Sequence, residues 1–128
     1  MPRQRSGFKV VQRINGRLWS FNERAAGPGR RPYKLNKTTR PAPNCGPLCV
    51  FVTCQAANDL RWAFGKKYFA VYRVKYRPST IKGIWLTHEP APDGQERHGT
   101  FFPIHALQRA YPGTVLADEI TLVERVSP

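Results

Sequence analysis

With 128 residues and 41% hydrophobic side chains, the chain is long enough for one domain with a real core. No run approaches the ~18 apolar residues needed to cross a bilayer, and the start, MPRQRSGFKVV, lacks the apolar stretch of a signal peptide. The expectation is a cytoplasmic protein with no membrane partner, and its net charge of +13, from 21 Lys+Arg against 8 Asp+Glu, attracts polyanions.

That charge is segregated. Residues 1–82 hold 18 basic and two acidic side chains (Glu23, Asp59), a net +16, whereas residues 83–128 hold three and six, a net −3. Met1–Gly7 reads as a flexible basic leader and residues 8–128 as a single globular domain. Phe8–Phe21, FKVVQRI-NG-RLWSF, predicts a hairpin. Asn15-Gly16 suits a type I′ turn, which pairs Ile14 with Arg17, Gln12 with Trp19 and Val10 with Phe21. Phe8, Val10, Gln12 and Ile14 then form a mostly apolar face, and Lys9, Val11 and Arg13 with Leu18 the outer one. Residues 22–44 follow as a basic Pro/Gly-rich arm carrying Arg24, Arg30, Arg31, Lys34, Lys37 and Arg40, with a short strand inside Arg31–Thr38.

Leu48–Val52 reads as a buried strand running into a helix. Thr53 is the N-cap, Ala56, Ala57, Leu60, Ala63 and Phe64 the inner face, and Gly65 the C-terminal glycine. Asn58, Asp59 and Arg61 point outward, and Trp62 reads either as core or as an exposed aromatic. Tyr68–Pro78, YFAVYRVKYRP, alternates. Tyr68, Ala70, Tyr72, Val74 and Tyr76 share one face, read as core. Arg73, Lys75 and Arg77 share the other, ~7 Å apart at ~3.3 Å rise per residue. A strand in Thr80–Thr87, an acidic loop in Glu89–Gly99, a short helix around Ile104–Arg109 and a buried strand or strand pair in Thr114–Val126, bent at Ala117-Asp118, complete the chain. Together these predict an α+β fold: a twisted mixed or antiparallel sheet of five to seven strands with one main helix packed on it.

Catalytic motifs are absent: no phosphate-binding glycine loop, HExxH or nucleophile elbow. Cys45, Cys49 and Cys54 do not have zinc-knuckle spacing and read as reduced packing thiols. Cys54, in the first turn of the helix, has no His or carboxylate nearby in sequence to activate it. No metal or cofactor is expected. The surface then carries the function. Lys9, Arg13, Arg30, Arg31, Lys34, Lys37, Arg40, Arg73, Lys75 and Arg77 form the candidate polyanion-binding set, and Trp19, Tyr33 and Trp62 are candidates for stacking on bases. The row Arg73-Lys75-Arg77 has roughly the spacing of successive phosphates on one nucleic-acid strand, ~6–7 Å.

GFKVVQRINGRLWS, GPLCVF with its alanine-containing helix, VYRVKYRPS and GTVLADEITLVERV resemble, in order, a family of small uncharacterised proteins from phages and other prokaryotic sources. The resemblance implies a phage-type accessory protein acting in the host cytoplasm. The order of elements also resembles the ADP-ribosyltransferase core, with Arg13, Thr53 and Glu119 at its three motif positions. Ala117 stands where that family has a polar residue two before its Glu, which implies a degenerate core without NAD chemistry. The expected function is non-enzymatic binding of a polyanion, either nucleic acid or an acidic host protein. The alternatives are an inhibitor of a host or defence protein by direct contact, and an ADP-ribosyltransferase-like enzyme.

Overall fold

A computed structural model of the chain describes residues 3–20, 31–41, 47–65, 67–85, 88–90, 96–98 and 101–126. In chain order the elements are β1 (Arg5–Ile14), β2 (Arg17–Ser20), β3 (Pro32–Tyr33), β4 (Thr38–Thr39), β5 (Leu48–Phe51), α1 (Cys54–Phe64), β6 (Phe69–Pro78), β7 (Gly83–Trp85), β8 (His88–Pro90), β9 (Glu96–His98), β10 (Phe101–Pro103), α2 (Ile104–Ala110) and β11 (Thr114–Arg125). Phe21, Arg30, most of the basic arm, Cys45 and the centre of the acidic loop lie outside the described residues.

The hairpin forms as its residues dictate. Asn15 and Gly16 take φ of 51° and 77°, the left-handed pair a type I′ turn requires, and Gln12 opposes Trp19 while Ile14 opposes Arg17. On its other edge β1 pairs antiparallel with β6, from Arg5↔Tyr76 to Gln12↔Phe69. Arg5–Gly7, expected in a flexible leader, are therefore strand. On its far side β6 pairs antiparallel with β11, from Pro78↔Ala117 to Tyr72↔Arg125. Short β5 bonds to both outer strands, through Phe51↔Phe8 on β1 and Leu48–Phe51 against Ala117–Thr114 on β11. The path β1–β6–β11–β5–β1 closes, so the sheet is a small antiparallel barrel, extended by β2, β3 and β4.

Closure gives the sheet two cores. Val11, Leu48, Val50, Ala70, Val74, Tyr76, Ala117, Ile120 and Leu122 fill the barrel with Tyr33. Val10, Phe51, Phe69 and Val71 point out of it and are covered by Ala57 and Leu60 of α1. Both faces of β1 are thus buried near its middle, and the face expected to be solvated, Lys9 and Val11, lines the interior. The expected antiparallel sheet with a helix packed on it is matched in part: the architecture is mostly antiparallel strand, closed into a small barrel, with two short helices in place of one main helix.

α1 starts where Thr53 accepts a bond from the Ala56 N–H (3.1 Å), and ends at Gly65, whose φ is 108° and whose N–H reaches the Arg61 carbonyl. Its packed stripe differs from the expected one. Arg61 is buried and its Nε donates to the Phe69 carbonyl (2.8 Å), whereas Phe64 is exposed. β11 is one strand, and its register shifts at Asp118, where a bend was expected, and again at Val123. Each shift is a bulge that re-aims the side chains beyond it.

Gly7 sits where β1 meets β5. A Cβ there would lie 2.7 Å from Val50 Cγ1 and 2.9 Å from the Phe51 carbonyl oxygen. Gly7→Ala is therefore expected to cost about 1–3 kcal/mol, read as a lower midpoint in urea unfolding. An unchanged midpoint contradicts the close β1–β5 contact.

Candidate polyanion-binding surface

β6 presents Arg73, Lys75 and Arg77 outward, past the part of the strand that α1 covers. Phe69 and Val71 share their face but lie under the helix. The row is one column of a wider surface. Lys75 lies opposite Ser6 on β1 and Thr121 on β11, and Thr121 lies opposite Thr38 on β4, with the two threonine hydroxyls 3.0 Å apart.

The charges on this surface are partly neutralised by the acidic end of the chain. Glu119 takes Arg40 through Nε and Nη2 (3.0 and 2.9 Å) and Arg77 through Nη2 (3.5 Å). Glu124 takes Arg73 at 2.8 Å. Four cations therefore face two carboxylates, and Lys75 at the centre has no ion pair among the described residues. The Arg73–Glu124 pair is exposed on both sides and is worth about 0–1 kcal/mol, whereas Glu119 is half-buried between its two partly exposed arginines. Lys34 and Lys37 are exposed at the two ends of a turn (Lys37 N–H to Lys34 carbonyl, 3.1 Å), which Asn36 makes with φ of 61°. That turn is bridged to β11 at Leu35↔Leu122, so both lysines border the same surface.

The remaining candidates are dispersed. Arg13 is exposed at the far end of β1 and donates to the Lys67 carbonyl (2.9 Å). Arg31 donates to the Arg40 carbonyl (3.1 Å). Trp19 is half-buried, and Trp62 is exposed. Lys9 and Tyr33 leave the candidate set, because closure draws both into the barrel. There the Lys9 ammonium donates to the Cys49 carbonyl (2.6 Å) and lies 5.8 Å from the centre of the Tyr33 ring. Among the described residues the Tyr33 hydroxyl has no hydrogen-bond partner. Stacking on bases needs an exposed ring, which Tyr33 does not have.

Arg13, Thr53 and Glu119 are not brought together. Phe8 opposes Phe51 antiparallel, so Thr53 lies toward Ser6, roughly 23 Å along the strands from Arg13. Glu119 lies at the level of Arg77, further still. The Thr53 hydroxyl caps α1, and Glu119 is held by two arginines. Cys54 accepts a bond from the Asn58 amide (3.4 Å). Sequence reasoning missed Glu119 and Glu124 as partners of the basic row. Five residues apart, they fall on opposite faces of a straight strand, and only the bulge at Val123 turns both toward the arginines.

Burial lowers the Lys9 pKa below its usual 10.5, against a smaller opposing pull from the neighbouring Cys49 thiol. Burial raises the Cys49 thiol above 9.0, although the residue keeps some exposed surface, and it raises the Tyr33 phenol. Lys9 and Cys49 contribute to the pH dependence of stability with opposite signs. Between the lowered folded pKa of Lys9 and 10.5 the unfolded chain holds the extra proton on that amine, so its contribution to stability rises with pH across that interval. Above 9 the raised thiol and phenol act oppositely. Lys9→Met is therefore expected to fold, to be at least as stable as the parent near neutral pH, and to lose the Lys9 contribution, so that its urea midpoint rises less with pH than the parent's. A variant whose midpoint rises as much as the parent's contradicts the buried amine.

Compared with protein-family models, with curated proteins and with solved structures, the chain matches none, so its functional reading rests on the geometry of its own residues.

Proposed function

We propose that the protein is a non-enzymatic accessory protein that binds a polyanion through the outer face of β4, β11 and β6. The observation that carries this reading is Lys75: exposed, without an ion pair among the described residues, and flanked at two-residue spacing by Arg73 and Arg77. The strands that hold the row pair on both sides, so its three cations are presented at fixed separation with little ordering cost on binding. Thr38, Thr121 and Ser6 add neutral hydroxyls that donate to phosphate oxygens.

Glu119 and Glu124 tune the surface. They hold three arginines extended over it in the free protein and are displaced or bridged when an anionic ligand arrives. In keeping with the resemblance of its motifs to small phage-type proteins, we place its action in a host cytoplasm, with nucleic acid as the ligand.

Binding of a labelled oligonucleotide is expected at low salt, with log affinity falling linearly against log salt. Lys75→Glu should weaken binding and make that slope shallower by about one unit. Glu119→Gln, which leaves Arg40 and Arg77 without their carboxylate, should strengthen binding. No binding at low salt, or indifference to charge reversal at Arg73, Lys75 and Arg77, sinks the proposal. Retention of a stoichiometric acidic protein from nuclease-treated lysate, with no oligonucleotide binding, replaces nucleic acid by direct protein contact.

A further inference from the structure

Two exposed rings lie toward the other end of β6, where α1 hands the chain over: Trp62, on α1, keeps 64% of its surface exposed and Tyr68, just after the helix, 56%. Tyr68, read from sequence as core, lies just before β6 begins, so the period that buries Tyr76 does not bury it. Gly65 closes α1 with positive φ, and the Tyr68 N–H returns to the Gly65 carbonyl (3.2 Å). Two cations are set into the same place. The Lys67 ammonium lies 5.6 Å from the centre of the Tyr68 ring. The Arg13 backbone N–H donates to the Tyr68 carbonyl (2.7 Å), and its guanidinium donates to the Lys67 carbonyl.

We propose that these rings stack unpaired bases, so that the polyanion is single-stranded nucleic acid; this rests on the binding reading given above and specifies its ligand. Exposed aromatic rings interleaved with Arg and Lys are the elements that single-strand binders combine, rings for base faces and cations for the backbone. Duplex hides its base faces and offers nothing to Trp62 or Tyr68. Tyr68, in the turn before β6, and Lys75 are seven residues apart, at most about 23 Å of extended chain, a span within reach of the ~4–16 nucleotides such surfaces engage.

An anionic bilayer has the same chemical appetite for aromatics and cations, but α1 argues against it. Asp59 lies one turn before Trp62, exposed and bonded to Gln55 (2.7 Å). A headgroup layer that takes in the Trp62 ring surrounds it and meets that carboxylate, whereas a strand stacked on one ring face can carry its phosphates away from Asp59, toward the cations at Tyr68.

The test compares an oligothymidylate of about a dozen nucleotides with a duplex of the same length, with heparin, which has charge but no bases, and with phosphatidylserine vesicles. Trp62→Ala and Tyr68→Ala change exposed side chains, and circular dichroism confirms their fold. Each is expected to weaken oligothymidylate binding about five- to a hundredfold and to leave heparin binding unchanged, while Trp62→Phe retains most of the affinity. The proposal is overturned by tighter binding to duplex, by equal losses for heparin and oligothymidylate, by no loss for either, or by Trp62-dependent capture on vesicles alone. If neither heparin nor any nucleic acid binds at low salt, the binding reading itself fails.

Discussion

The structure depends on β6 being hydrogen-bonded along both edges. β1 occupies one edge over eight register positions and β11 the other, with two bulges. β5 then joins β1 and β11 behind it and closes the barrel. Everything of functional interest follows from that double pairing. It buries Ala70, Val74 and Tyr76 inside, leaves Arg73, Lys75 and Arg77 outside, and holds them on a backbone with no free edge to move. Closure also makes the interior small, so Gly7 admits no Cβ without displacing Val50.

Closure reorganises the charge as well. The sequence separates a basic stretch of 82 residues from an acidic one of 46. Folding lays β11 against β6 and brings Glu119 and Glu124 onto the strand that carries the basic row. The local excess of positive charge is therefore smaller than the segregation suggests, and it centres on Lys75 and the Lys34–Lys37 turn rather than on every arginine in the row. Exposed ion pairs contribute little stability, so the glutamates are better understood as holding the arginines in extended poses than as holding the fold together.

Much of the local structure was legible. Asn15-Gly16 specified the hairpin and its register, Thr53 and Gly65 bounded α1, and the alternation in Tyr68–Pro78 separated core from basic face. These signals are local, and each residue acts through its own backbone. What was illegible depended on closure or on bulges. Lys9 alternates like an outward residue, and only a sheet curling round β6 makes its face the interior. Tyr33, in a proline-rich arm, carries no local sign of entering a core. Tyr68 is exposed because it lies in the turn before β6, Trp62 stands on the outer side of α1, and Arg61 is buried because its guanidinium reaches the Phe69 carbonyl beneath the helix. Of the candidate surface, the central row was readable and its carboxylate partners were not.

Lysine acylation footprinting with and without a short oligonucleotide tests the central claim most directly, because it reads each amine where it stands. Lys9, enclosed in the barrel, should stay unreactive throughout and serve as an internal control. The account predicts that the oligonucleotide protects Lys75, with Lys37 and Lys34 beside it, and leaves exposed Lys82 reactive. Protection confined to other lysines, with Lys75 as reactive in the complex as in the free protein, would contradict it.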